Sequence, residues 1–94
     1  MSHTTIHKHT IPFGVKHAIS VPAGSRLLSC KNQHEQICLW FEVTDAIDSD
    51  VRVFYGAMTG DIFENKASDV HDFIDTVLLK DGYFVVHIFE LKKL

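Results

Sequence analysis

The chain lacks long apolar runs: the longest, Ile37-Cys-Leu-Trp-Phe41, is closed by Glu42. A membrane-spanning helix needs about 20 such residues, so no helical span is predicted. The segment Met1-Ser-His-Thr-Thr-Ile-His-Lys-His9 has no apolar core of the kind a secretory signal carries. The expectation is a cytoplasmic protein with no membrane partner. Two cysteines, Cys30 and Cys38, are too few for a disulfide framework. In a reducing compartment they read as buried thiols acting as small apolar residues, although adjacent strands would let them face one another. Positive charge is also short. The formal net charge of −3 argues against direct binding to nucleic acid or anionic lipid. The chain has no Cys-x-x-Cys pair, no Lys-Ser/Thr after a glycine-rich loop, no internal repeat and no low-complexity tract.

What is present speaks for β-structure. Thr76-Val-Leu-Leu-Lys-Asp-Gly-Tyr-Phe-Val-Val-His-Ile-Phe-Glu90 places two β-branched and aromatic runs on either side of Asp81-Gly82. That dipeptide supplies the positive-φ backbone of a tight hairpin turn. Further strands are predicted at 3–11, 16–21, 26–31, 36–44 and 51–55, with turns at Pro12 and Gly14 and at Pro22-Ala-Gly24. The strongest is Gln36 to Thr44, with Ile37, Leu39, Phe41 and Val43 on one face and Cys38 and Trp40 on the other, as for a central strand covered on both sides. Segment 61–70 reads as loop. Val70, Phe73, Ile74, Val77 and Leu78 fit a helix capped by Ser68, but the turn at Asp81 needs a partner strand, which favours a strand at 73–79. A short helical turn at 68–72 is compatible with it.

Six to seven short strands in 94 residues give one all-β domain over 1–94, a small antiparallel sandwich or partly open barrel. The polar first strand is the expected exposed edge, and dimerisation or closure would protect such edges.

Several stretches, taken in order, resemble a family of short proteins of unknown function found in tailed phages and prophages. They are Thr5-Ile-His-Lys8, Val21-Pro-Ala-Gly24, Leu27-Leu-Ser29, Cys38-Leu-Trp40, Phe54 to Gly60, Phe73-Ile-Asp-Thr-Val77, and Phe84-Val-Val-His-Ile-Phe-Glu90. Members of that family carry a Gly-Thr-Gly-His-Pro-like loop. Here Met58-Thr-Gly-Asp-Ile62 stands in its place, without the His-Pro pair. The resemblance implies a phage-encoded accessory protein acting in the bacterial cytoplasm. It implies no activity.

The chemistry-bearing residues are few. His7 and His9 share one face of a strand, a zinc half-site at most, with His3 and His17 as conceivable neighbours. His87 shares a face with Val85 and Phe89 and reads as a core histidine with a satisfied hydrogen bond. Service as a general base would need a partner, and Ser29 and Cys30 are the sequence candidates. Gly56-Ala-Met-Thr-Gly60 offers amides for a phosphate or reads as a plain turn. Trp40, Phe41, Phe54 and Tyr55 read as core rather than as base-stacking residues. No triad, carboxylate pair or metal cage assembles, so a non-enzymatic protein without cofactor is expected.

Charge is uneven: residues 1–40 carry a net +3 and residues 42–75 a net −7. The acidic residues Asp45, Asp48, Asp50, Asp61, Glu64, Asp69 and Asp72 are candidates for contact with a host protein or complex, by mimicry of a phosphate backbone. Solvated acidic loops that aid solubility are the plainer reading. The leading functional expectation is a homo-oligomeric phage protein that binds host machinery stoichiometrically, for takeover or anti-defence. The alternatives are a sponge for a cyclic or modified nucleotide at an oligomer interface, and a minor virion component.

Overall fold

The computed structural model describes residues 3–92, without the side chains of Ser68 and Val70. Among the described residues seven strands are present: β1 Thr4–Ile11, β2 Lys16–Pro22, β3 Arg26–Gln33, β4 Gln36–Thr44, β5 Ser49–Met58, β6 His71–Leu79 and β7 Phe84–Leu91. A four-residue helical turn, α1 (Ala67–Val70), precedes β6, and a 3-10 turn at Lys80–Gly82 follows it. All pairings are antiparallel. They build a three-stranded sheet A, in the order β1-β4-β3, and a four-stranded sheet B, in the order β2-β5-β7-β6. The result is an all-β sandwich of two antiparallel sheets.

Most sequence expectations hold to within a few residues. The helix-or-strand ambiguity at 68–79 resolves as a helical turn at 67–70 feeding a strand at 71–79. Lys66 occupies the N-cap position, so Ser68 falls inside the turn. Asp81 (φ 55°) and Gly82 (φ 88°) sit at the centre of the β6–β7 turn, closed by Tyr83 N–H donating to the Lys80 carbonyl at 3.0 Å. Those angles are the type I′ values that match the twist of the flanking strands. One expected loop is not found. Gly56-Ala-Met58 is not a loop but the end of β5, paired with Val86 to Ile88. A Cβ on Gly56 would lie 2.7 Å from the Cβ of Phe13 and 2.9 Å from a methyl of Val86, so glycine here serves close packing rather than a phosphate.

The core lies between the sheets. From β4 come Ile37, Leu39, Phe41 and Val43, and from sheet B come Ile19, Val21, Phe54, Val77, Leu79, Val86 and Ile88, all buried. Phe41 and Phe54 meet edge to face across the sandwich, centroids 6.2 Å apart. Cys30 points into this core, and the neighbouring pairings Cys30↔Leu39 and Lys31↔Cys38 place Cys38 on the opposite face of sheet A. Both thiols are free and buried. Burial pushes the Cys30 thiol up to about 12, which removes it as a nucleophile.

One end of the core is closed by charge. Arg52 donates from Nε and Nη2 to the two oxygens of Glu90, at 2.6 and 2.7 Å, and from Nη1 to the Ser25 carbonyl at 3.2 Å. Its guanidinium also lies 5.0 Å from the Phe41 centroid and 5.8 Å from that of Phe54. The two side chains are only 17% and 15% exposed. Removing one partner strands the other. Arg52→Met is expected to lower unfolding free energy by about 3 kcal/mol. The double change Arg52→Met with Glu90→Leu should recover most of it, since two apolar groups need no partner. Urea unfolding of the three proteins decides this, and a double variant no better than the single one would show that the pair is not acting as a unit.

Candidate functional site

Sheet B is apolar on its outer face as well. Tyr55 of β5, Phe89 of β7, and His71 and Phe73 of β6 project there, as the register Tyr55↔Phe89, His71↔Leu91 and Phe73↔Phe89 requires. The segment between β5 and α1 folds back over this face and sets Phe63 upon it. The Phe63 ring is 5.7 Å from Phe89, 5.9 Å from His71 and 6.3 Å from Tyr55, each contact close to edge-on. Two short features anchor the segment. Asp61 accepts the Met58 N–H at 2.9 Å and returns its own N–H to the Met58 carbonyl at 3.0 Å. Asp69 N–H donates to the Lys66 carbonyl at 3.0 Å.

The fold-back leaves a groove of about 530 Å³, lined on its apolar side by Tyr55, Ile62, Phe63, His71 and Leu91. Lys16, Glu64, Asn65, Asp69 and Lys92 complete its wall. All of this comes from a single chain. His71 is the buried polar residue of the described set, at 9% exposure. Its Nδ1 is wholly buried and has no hydrogen-bond partner among the described residues. A buried nitrogen left without a partner costs on the order of 1–3 kcal/mol.

The same face carries a second polar array. His87 Nε2 lies 2.8 Å from Thr59 Oγ1, and its Nδ1 lies 3.0 Å from Thr76 Oγ1. His87 is hydrogen-bonded and shares a face with Val85 and Phe89, as expected, but that face is the outside of sheet B and not the core. Ser29 and Cys30 belong to sheet A and are not its partners. Both ring nitrogens are engaged by hydroxyls, an arrangement that fixes the ring and ties the 59–61 turn to β6.

The remaining sequence candidates are scattered. β5 is ten residues long, roughly 30 Å; Asp45 and Asp48 precede it, Asp50 lies at its start, and Asp61 follows its end. Asp45 accepts from His3 N–H at 3.4 Å, and Asp50 accepts from Gly24 N–H at 3.2 Å. Glu64 and Asp69 line the groove, while Asp72 lies 3.9 Å from Lys92 beside the Arg52–Glu90 pair. Asp50 and Asp72 line one pocket with the Arg52–Glu90 pair, whereas Asp61 follows the far end of β5. His7 and His9 share the inner face of β1, with His9 edge-on to Phe41 at 5.7 Å. Burial, with His7 alongside, lowers the His9 pKa. No group of three metal-ligating side chains comes together among the described residues. Phe41 and Phe54 are core as expected, but Trp40 is half-buried on the outer face of sheet A and Tyr55 lies in the groove.

Sequence reasoning missed Phe63 and His71. The available signal was Ile62-Phe63, an apolar pair inside an otherwise polar loop.

Replacing His71 with Phe keeps the ring contacts and removes the unsatisfied nitrogen. His71→Phe is expected to raise unfolding free energy by about 1 kcal/mol. Thermal and urea denaturation check this; a loss of stability would reveal a hydrogen-bond partner for Nδ1 in the folded chain.

No curated protein and no solved structure matches this chain. A family model, described as a domain of unknown function (DUF7352), matches residues 2–94. With the match covering nearly its full length, the chain belongs to the DUF7352 family.

Proposed function

We propose that this protein is a non-enzymatic binding module whose ligand is a small planar molecule seated in the groove on the outer face of sheet B. The observation that carries the reading is an aromatic groove lined by His71, whose Nδ1 is buried and has no hydrogen-bond partner among the described residues. A groove of this size is ordinary for a small-molecule site, where a few polar atoms fix the orientation of an otherwise apolar ligand. Tyr55, Phe63 and His71 supply ring surfaces against which a nucleobase stacks, each such contact being worth about 1–3 kcal/mol. The rim is of mixed sign, with Lys16 and Lys92 against Glu64 and Asp69. That favours a nucleoside or a nucleotide of low charge, such as a cyclic or modified one, over a triphosphate. The resemblance to phage and prophage proteins adds a setting, a sponge that lowers the free concentration of a host signalling nucleotide.

A ligand that binds only the folded chain raises its stability, by about 2.7 kcal/mol at a hundredfold excess over Kd. Melting temperature measured across a panel of nucleosides, nucleoside monophosphates and cyclic nucleotides should rise with one chemical class, and His71→Phe should abolish the rise. A flat response across the panel, with no small molecule retained by the protein isolated gently from bacteria, would remove this reading.

A second reading keeps a protein partner on the opposite end of β5. Asp45 and Asp48 are exposed and form no salt bridge with the described residues. Charge reversal at Asp45, Asp48 and Asp50 is expected to weaken binding to any host protein that copurifies in native mass spectrometry. Unchanged retention by the triple variant, or by the milder Asp45→Lys and Asp48→Lys pair, would end it.

A further inference from the structure

The connection from β5 to β6, residues 59–70, is fixed at both ends and loose between them. At the first end Asp61 exchanges hydrogen bonds with Met58, and Thr59 is held on His87. At the second end α1 is tied to the start of β6 by the His71 N–H, which donates to the Ala67 carbonyl. Between these points Ile62-Phe63-Glu64-Asn65-Lys66 runs as a strap over the outer face of sheet B.

Among the described residues no hydrogen bond or salt bridge joins this strap to either sheet. The Lys66 carbonyl accepts only from Asp69, in the adjoining helical turn. Glu64, Asn65 and Lys66 are exposed and Ile62 is 95% exposed, so none of them grips the sheet. Phe63 does. Its ring lies edge-on to Tyr55 of β5, His71 of β6 and Phe89 of β7, one residue from each strand beneath it. A single apolar side chain is therefore the latch. Lifting the strap breaks no backbone hydrogen bond to the sheets, and a segment with so few buried contacts opens at far lower cost than the strands do.

The chain has the length to move. Met58 pairs with Val86 and His71 with Leu91, so the ends of the connection are offset along β7 and lie on either side of it. That places them roughly 20 Å apart, whereas residues 59–70, even with one helical turn among them, reach roughly 35 Å. Closure also has a cost. Under the latch, His71 Nδ1 is buried without a partner among the described residues, and Tyr55, Phe63 and Phe89 all pack on its imidazole. Of those three rings only Phe63 rides on the strap. Lifting it opens that side of the imidazole to water, which offsets part of the lost ring contact.

We propose that residues 62–66 form a hinged gate, which swings off the outer face of sheet B when Phe63 leaves its three rings, both sheets staying intact, and so controls entry to the groove. Ile62, Phe63, Glu64 and Asn65 all line that groove, so the gate cannot move without reshaping it. The gate's purpose rests on the groove reading above; its motion does not.

Limited trypsin digestion of the full chain under native conditions reads the motion with no ligand present. A protease takes the residues flanking the scissile bond in extended form, so cutting after Lys66 requires Phe63, three residues before it, to be off its rings. When opening and closing are fast, the cleavage rate follows the open population. Local opening exposes little surface and barely responds to urea, whereas global unfolding responds steeply. The expected result is cleavage after Lys66 at a rate nearly constant in urea below the unfolding transition, and about tenfold faster in Phe63→Ala, where the ring contacts are gone. Resistance at Lys66 until the chain unfolds overturns the gate, as does a rate that climbs with urea in step with unfolding or one that Phe63→Ala leaves unchanged. A nucleotide that raises the melting temperature of a chain with a closed strap would keep the groove reading and remove the gate. A mobile strap with a flat nucleotide panel would do the reverse.

Discussion

The contact on which the sandwich turns is the stack of Arg52 against Phe41 and Phe54. Phe41 belongs to sheet A and Phe54 to sheet B, and their edge-to-face meeting sets how the two layers sit on one another. Arg52 shares the inner face of β5 with Phe54, two residues away, so its guanidinium is delivered to the rim of that contact by the period of the strand itself. An unpaired cation could not stay there. Glu90 of β7 supplies a bidentate partner and Ser25 a carbonyl, which ties β5, β7 and the β2–β3 turn to one planar group. The hydrophobic core therefore ends in a hydrogen-bonded lid rather than an apolar surface. With about 94 residues only one such core can be built, so the integrity of both sheets rests on it.

Because the inner face satisfies the core, the second apolar face of sheet B is left over. An antiparallel sheet normally solvates its outer side. Here the chain instead sends Phe63 back across it. The cover is partial, and the groove that remains is lined by His71, whose Nδ1 is buried and has no partner among the described residues. Such an arrangement is a stability cost to the folded chain. The neighbouring His87 shows the contrast: with Thr59 and Thr76 at its two nitrogens it is fully satisfied, and it acts as a brace for the turn that starts the fold-back.

Strain is concentrated on the side opposite β1 and β2. The β3–β4 turn holds His34 and Glu35 at positive φ, of 55° and 63°, without a glycine. That conformation is unfavourable for residues with a side chain. It is compensated by Asn32 Oδ1 accepting the Glu35 N–H at 2.9 Å and by the Glu35 carboxylate accepting the Lys80 N–H of the other hairpin turn. The two hairpin turns are thus joined by one carboxylate, and this seam of the sandwich is sealed.

By itself the sequence determined the strands, the turns and the fold class. Alternation in β4 marked its core face, and Asp81-Gly82 marked the hairpin, because period-two burial and positive φ are local properties that residue type records directly. It also determined that two cysteines would be buried thiols. The rest was decided by tertiary structure. Gly56 read as loop because its neighbours Met58 and Gly60 look loop-like, and only the approach of Phe13 and Val86 shows why a strand needs glycine there. Tyr55 and His87 lie on alternating positions of strands whose two faces are both apolar, so no pattern could say which face was core. Acidic residues close in sequence were parted by the length of β5, and Phe63 and His71 were brought together from either side of α1. The groove is a property of how one sheet is covered, and that information is carried by contacts between distant segments, which composition and spacing do not encode.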